Sequence, residues 1–424
     1  MVSVPAHPSA GTAVPADTVA GLLAEISQVG ADQHRGGYWR AVFSTAEFDL
    51  RTWFLAHAAK RGLDVETDRN GVIWAWWHTA AGDTADAVVT GSHLDSVPGG
   101  GAFDGPLGVA SALVALDLLQ AEGIRPARPL AIAVFPEEEG SRFGVACLGT
   151  RVLTGAMDVD LARALRDQNG DTFAEVAAKS GFDPALLGPD PEALARIGTF
   201  IELHVEQGRE LIDRHQPVGI GSSILGHGRW RLSVSGQGNH AGTTLMTDRH
   251  DPMIAAAGIV MAIRDTARAH PGARATVGRL EPVPGGTNVI ASRVDLWLDA
   301  RHPDDAVTAS IVATILAEAR LIAAAEGCTV QLTEESVSRT VSFDSALRDH
   351  LSLLLPDAPV QDTGAGHDAG ILTQFVPTAM LFVRNPTGVS HSPEEYVEDD
   401  DAEAGARALA RVLADLLVPA PDTP

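Results

Sequence analysis

Residues 87–135 read AVVTGSHLDSVPGGGAFDGPLGVASALVALDLLQAEGIRPARPLAIAVF. A short apolar strand, Ala87–Thr90, runs into Gly91-Ser92-His93, and a glycine-rich turn follows. Apolar residues then recur at helical spacing from about Pro106 to Glu122, before a second apolar strand at Pro129–Phe135. Strand, helix and strand in this order predict an α/β fold, a mixed or mainly parallel sheet flanked by helices. In such sheets function gathers at the carboxyl ends of the strands. His93 ends the first strand, and the run Glu137-Glu138-Glu139 follows the second.

Upstream, Thr18–Lys60 has a helical pattern and Asp64–Trp77 a strand-like one, whereas Met1–Asp17 is rich in proline and alanine. That start lacks a basic segment followed by an apolar core, so it is expected to be a floppy tail and not a secretion signal. Downstream the pattern changes. Trp230–Val234 alternates as a strand, Pro252–His270 is helical, Ala273–Leu280 and Val294–Ala300 are strand-like, Asp304–Glu326 is a long amphipathic helix, and Thr329–Leu332 closes the series. The order β-α-β-β-α-β is ferredoxin-like. It predicts an inserted α+β domain over 215–338, with 1–214 and 339–424 forming the main domain. A helix at Ser345–Leu355, a strand at Pro377–Val383 and a helix at Asp401–Leu417 complete the main domain, and no repeat of 20 to 50 residues is present.

Composition narrows the function classes. The 424 residues suffice for two domains, and 45% hydrophobic with 20% charged residues is ordinary for a globular protein. The sequence suggests no run of about 18 apolar residues and hence no membrane span. Cys147 and Cys328 are the two cysteines. They cannot form a disulfide framework, and a reducing, cytoplasmic setting is expected. The formal net charge of −24 argues against nucleic-acid binding. It leaves room for a small anionic substrate, since one arginine can dominate a small pocket.

Histidines and acids stand at strand ends and in tight turns. They occur in Gly91-Ser92-His93-Leu94-Asp95, Asp104-Gly105, Glu138-Glu139-Gly140, Glu202-Leu203-His204 and Ser390-His391-Ser392. Imidazole and carboxylate together suit borderline divalent metals. A carboxylate has two oxygens and can bridge two ions. Asp104 is the natural bridge, because Gly99-Gly100-Gly101 lets the chain fold back towards His93. Paired ions about 3.5–4 Å apart clamp a hydrolytic transition state. Singly, each residue has an ordinary structural explanation. Together, in this order, chance explains them poorly.

These segments resemble the amidase, hydantoinase/carbamoylase family of two-metal hydrolases. The resemblance rests on GSHLDSVPGGGAFDGPLGV (91–109), EEEGSRF (137–143), ELHVEQG (202–208), GNHAGTT (238–244), GGTNVI (285–290), DARHPD (299–304), GAGHDAG (364–370) and GVSHSPEEY (388–396). It implies a zinc-exopeptidase-like catalytic domain with a lid and dimerisation domain. It further implies that His93 and His204 hold one metal, that Glu139 and His391 hold the other, and that Asp104 bridges them. Zinc or manganese is expected, with cobalt or nickel also compatible. Asp95 would orient His93, and Glu138 would be the general base.

By the same resemblance His240 stabilises an oxyanion in a partner subunit's site, Asn288 and Arg301 grip a substrate carboxylate, and Gln207 and the His367-Asp368 pair make further substrate contacts. A homodimer through the lid domain and hinge closure follow. Leu245 and Ser96 depart from the family's usual proline and threonine. The implied reaction is hydrolysis of a ureido C–N bond, releasing ammonia and carbon dioxide, with allantoate as the first substrate. N-carbamoyl-L-amino acids and β-ureidopropionate are the alternatives. A dipeptidase or aminoacylase, and a metal-binding protein without catalysis, are the competing readings.

Overall fold

The computed structural model describes residues 18–418, so the proline- and alanine-rich start lies outside the described residues. Strands β1 (Asp64–Thr67), β2 (Ile73–Trp77), β3 (Ala87–His93), β4 (Leu130–Phe135), β5 (Ile197–Val205) and β6 (Val218–Ile224) come first. The inserted segment holds β7 (His227–Ser235), β8 (Asn239–His240), β9 (Arg274–Val283), β10 (Val289–Ile290), β11 (Arg293–Arg301) and β12 (Thr329–Ser338). Strands β13 (Val341–Ser342), β14 (Val360–Thr363) and β15 (Thr378–Val383) follow.

The main sheet is mixed and runs β1-β2-β4-β3-β5-β15-β6-β13, with β14 paired to β6. Strands β4, β3, β5 and β15 are mutually parallel, while β1, β2 and β6 join antiparallel. The parallel strands are almost wholly buried, which explains their unbroken apolar runs. Because they share one direction, their carboxyl ends lie along one edge. His93 ends β3, the three glutamates follow β4, His204 sits at the end of β5, and the loop bearing His391 leaves β15. Helix Pro106–Ala121 packs on β3 and β5 and is covered by Asp399–Leu417 and Val19–Glu25, so the main core lies directly beneath that edge.

The helical pattern of Thr18–Lys60 resolves into two helices, Val19–Glu25 and Thr45–Lys60. Between them the fully buried Arg40 donates from Nε to the Val29 carbonyl and from Nη2 to that of Ile26, which ends the first helix in a fixed loop. That loop also braces the glycine-rich turn. Tyr38 N–H donates to Gly100 O, Gly99 N–H donates to Tyr38 O, and Arg40 N–H donates to the Ser96 hydroxyl.

The chain divides into two compact units, Met1–Ser222 with Ser342–Pro424, and Ser223–Val341. In the second unit β12-β7-β11-β9 form an antiparallel sheet. Helices Pro252–Arg268 and Asp305–Ala325 pack on it through Ile259, Ile263, Ile311, Ile315 and the inward residues Leu232, Val234, Leu296 and Leu298. Contrary to the expectation from sequence, Asp305–Ala325 is long and apolar enough to cross a membrane, with mean hydropathy 1.7. Glu318 and Arg320 interrupt its apolar run in the sequence. Its buried face, Ile311, Val312, Ile315, Ala319 and Ala323, belongs to the core of this unit.

Candidate metal centre

Among the described residues three groups of three donors form; Glu202, His204 and His367 make one, and the other two, at the carboxyl edge of the sheet, share Asp104. Of these two, His93, Asp104 and His204 make the first, and Asp104, Glu139 and His391 the second. Oδ1 of Asp104 lies 3.4 Å from His93 Nε2 and 3.2 Å from His204 Nε2. Oδ2 lies 3.5 Å from His391 Nε2, which is itself 3.3 Å from Oε2 of Glu139. The first group is buried, whereas the His391 side chain is 51% exposed, so the second is open to solvent.

The donor chemistry fits cations. His93 Nδ1 is 3.1 Å from the Asp95 carbonyl oxygen and His204 Nδ1 is 3.0 Å from that of Val205. A carbonyl can only accept, so both Nδ1 atoms carry hydrogen, and in the neutral rings both Nε2 atoms present lone pairs. Those two nitrogens face each other at 3.5 Å. Lone pairs so placed repel unless positive charge lies between them. Two donors about 2.1 Å from one ion at the tetrahedral angle stand about 3.4 Å apart, the spacing found here.

The electrostatics agree. Burial alone would raise Asp104, but His204 and His93 outweigh it and hold its carboxyl well below the usual range. Burial pulls His93 down, yet Glu138, Asp104 and Asp95 lift it well above its ordinary value. Glu138 and Glu139 are both pushed well up, first by burial and then by neighbouring carboxylates, Asp368 for the former and Asp104 for the latter. A buried site this rich in acids favours cations, whether protons or metal ions.

Glu138 belongs to neither donor group. Its Oε2 is 3.6 Å from His93 Nε2, and its Oε1 is 3.6 Å from the buried Cys147 thiol. Asp95 holds His93 through its main-chain carbonyl more closely than through its carboxylate, whose Oδ1 is 3.7 Å away. The carboxylate is turned instead to the backbone of Glu138 and Glu139. Gln207 donates from Nε2 to Asp104 Oδ2 at 3.0 Å and to Ser390 Oγ at 2.9 Å, while its buried Oε1 has no partner among the described residues.

His367 is buried, its ring 4.4 Å from that of His204, and neither ring nitrogen has a hydrogen-bond partner among the described residues. Burial and the neighbouring His204 hold it well below its ordinary pKa, so it is a neutral ring with polar atoms left for a ligand. Beside it the Asp368 carboxylate accepts from Thr150 Oγ1 at 2.5 Å, and Glu202 accepts from Ser92 Oγ and Ala369 N–H. From the sequence Asp368 is expected beside His367 as a substrate contact, whereas Glu202 is given no role. Glu202 lies within the ELHVEQG segment, but its role depends on contacts distant in sequence.

The remaining candidates lie in the second unit. His240 and Asn288 are exposed and held together locally, with Val289 in register with His240 and Ala241 N–H donating to the Asn288 carbonyl. Thr244 Oγ1 donates to His240 O, and Arg249 Nη2 to the carbonyls of Ala241 and Thr244, which fixes the loop. Arg301 ends β11 and forms a two-point ion pair with Asp299, Nε to Oδ1 at 2.8 Å and Nη2 to Oδ2 at 3.1 Å.

Residues 89–415 match peptidase family M20/M25/M40. The chain is similar to the N-carbamoyl-L-amino acid amidohydrolase of Geobacillus stearothermophilus, 35% identical over 397 residues that cover 91% of this chain and 95% of that protein. It is similar also to the allantoate amidohydrolase of Escherichia coli strain K12, 30% identical over 398 residues that cover 92% and 95%. Among solved structures it is similar to an amidase of the hydantoinase/carbamoylase family from Burkholderia multivorans. That match has a TM-score of 0.83 and 31% identity, and covers 94% of this chain and 97% of the other.

Proposed function

Since the chain belongs to peptidase family M20/M25/M40, among its hydantoinase/carbamoylase amidases, we propose that it is a two-metal amidohydrolase that cleaves the carbamoyl C–N bond of a small ureido acid. The observation that carries this reading is the pair of donor groups sharing Asp104, with Glu138 beside them and outside both. His93, Asp104 and His204 would hold one divalent cation, and Asp104, Glu139 and His391 the other. Bound there, the cations supply positive charge that polarises a carbonyl and acidifies water.

Glu138 has the work of moving a proton. Its carboxylate takes one from the attacking water and returns it to the departing nitrogen, and its raised proton affinity suits both steps. His367, a buried neutral ring, offers a hydrogen bond to the substrate. In the second unit, His240 would stabilise the developing oxyanion, and Arg301 with Asn288 would take the carboxylate. A guanidinium already oriented by Asp299 is well prepared for a planar anion. We assign that unit the part of lid and dimerisation module.

Allantoate is the first substrate to test. N-carbamoyl-L-amino acids are the second, favoured by the 35% identity to an enzyme of that name. The experiment is ammonia release by the metal-stripped chain reloaded with manganese or zinc. It is given allantoate, N-carbamoyl-L-amino acids, β-ureidopropionate and a dipeptide. Ammonia from one or more ureido acids with an inert dipeptide is expected. Dipeptide cleavage with inert ureido acids would overturn the proposal.

A further inference from the structure

Glu395 is buried, yet it is neither a donor of the two groups nor a neighbour of Glu138. Its Oε1 accepts the backbone N–H of Phe103 at 3.2 Å and of Asp104 at 3.0 Å, a contact across 291 residues of chain. Its Oε2 accepts from the Ser390 hydroxyl at 3.2 Å. Ser390 also accepts from Gln207 Nε2 and stands 3.5 Å from Asp104 Oδ2. One carboxylate therefore ties the main chain of Asp104 to the segment that bears His391, and Ser390 with Gln207 ties the same segment to the Asp104 side chain.

Gly101 carries the imprint of this arrangement. A Cβ there would lie 2.6 Å from both Cβ and the carboxyl carbon of Glu395, so only glycine admits the carboxylate.

We propose that Glu395 is a positioning residue that fixes Asp104 and His391 in one frame, and that the chain retains its second cation only while this tie is intact. The inference rests on the two-metal reading above. Asp104 enters both groups, but its Oδ2 faces His391, which also meets Glu139, and His391 is the most exposed of the donors. The second group is therefore the one that loses its geometry when the two segments drift. Partners that orient ligands in this way typically affect metal affinity by about 10–100-fold.

The test is titration of the metal-stripped full chain with manganese alone, with metal content and far-UV circular dichroism measured in parallel. The wild-type chain should take up two ions. Glu395→Ala should bind one of them about 10–100-fold more weakly with its fold unchanged. Glu395→Gln should restore near-wild-type binding, because its amide oxygen can accept both N–H groups and its NH2 can donate to Ser390. Gly101→Ala should behave like Glu395→Ala. Two ions at wild-type affinity in Glu395→Ala, or equal losses in the alanine and glutamine variants, would overturn the proposal. Should Glu395→Ala not fold, Gly101→Ala decides. It displaces the Glu395 carboxylate from the Phe103 and Asp104 N–H groups and leaves Ser390 and Gln207 in place, so weakened binding of one ion supports the proposal and unchanged binding overturns it. A wild-type chain that takes up fewer than two ions would defeat the two-metal reading itself, and the positioning role with it.

Discussion

The Asp95 carboxylate accepts the backbone N–H of Glu138 through Oδ1 at 3.2 Å, and Oδ2 accepts that of Glu139 at the same distance. One buried acid thus fixes the turn that carries both the proposed base and a proposed ligand. Its main-chain carbonyl fixes His93 separately. Asp95→Ala removes the first function and leaves the second. Turnover is expected to fall by about 10–100-fold, while the affinity of the ion held by His93 and His204 changes little. Steady-state kinetics beside metal titration checks this. Equal losses in both would mean that the carboxylate acts chiefly on His93.

Glu138→Gln keeps size and polarity but removes the proton acceptor. Because Glu138 is in neither donor group, two ions should remain bound. The rate constant kcat should drop by about 10²–10⁴-fold, the usual contribution of a positioned acid or base, with KM nearly unchanged. Loss of metal in this variant would make Glu138 a ligand. Undiminished turnover would remove it from the reaction.

The parallel core was legible because strands buried on both faces must be apolar throughout, and β3 and β4 are. His93 and the glutamates were legible because such strands deliver whatever follows them to one edge, whereas His204 was expected beside them from the donor pattern and the family resemblance. Glu395 was not, although HSPEEY lay in view. A carboxylate that bonds to backbone N–H groups 291 residues away leaves no mark at either end beyond a glycine. Gln207 is a similar case. Its family resemblance suggested a substrate contact, whereas its amide nitrogen is engaged with Asp104 and Ser390. The four short helices between Leu148 and Arg196 escaped for another reason. Segments of six or seven residues are too short for a periodic pattern, and their starts depend on caps such as Thr172 with Glu175.

Protonation gives a prediction for the metal-free protein. Burial, then Glu202, raises Asp368 to about 8, and burial, then Asp104, raises Glu395 to about 7. In the unfolded chain such carboxyls titrate near 4. The folded chain therefore holds more protons across this window, and its stability falls as pH rises through it. His204 acts in the same sense at the upper end, since Asp104 lifts it more than burial lowers it. Cations displace these protons, so their affinity grows with pH. His367, held low by burial, acts in the opposite sense below its unfolded value of about 6.5, so the Tm of the stripped protein should fall between about pH 6.5 and about pH 8, and the gain on adding manganese should widen. A stripped Tm that rises over this range would contradict the assignment.

Gly105 tests the site from the side of the fold. It precedes helix Pro106–Ala121 with φ +86°, a conformation that disfavours any side chain, and a Cβ there would lie 2.6 Å from Cε1 and Nδ1 of the His93 ring. Gly105→Ala therefore incurs two costs. The backbone cost is about 1–3 kcal/mol and should appear as lowered stability with or without metal. The clash acts only on His93, whose ring is buried and has no room to retreat, so the ring must tilt away from His204 and Asp104. Weaker binding of the ion they share should then exceed what the stability loss explains. Metal titration at a temperature where the variant is fully folded separates the two. Wild-type affinity there would mean that His93 tolerates the tilt and that its close approach to Gly105 serves packing alone.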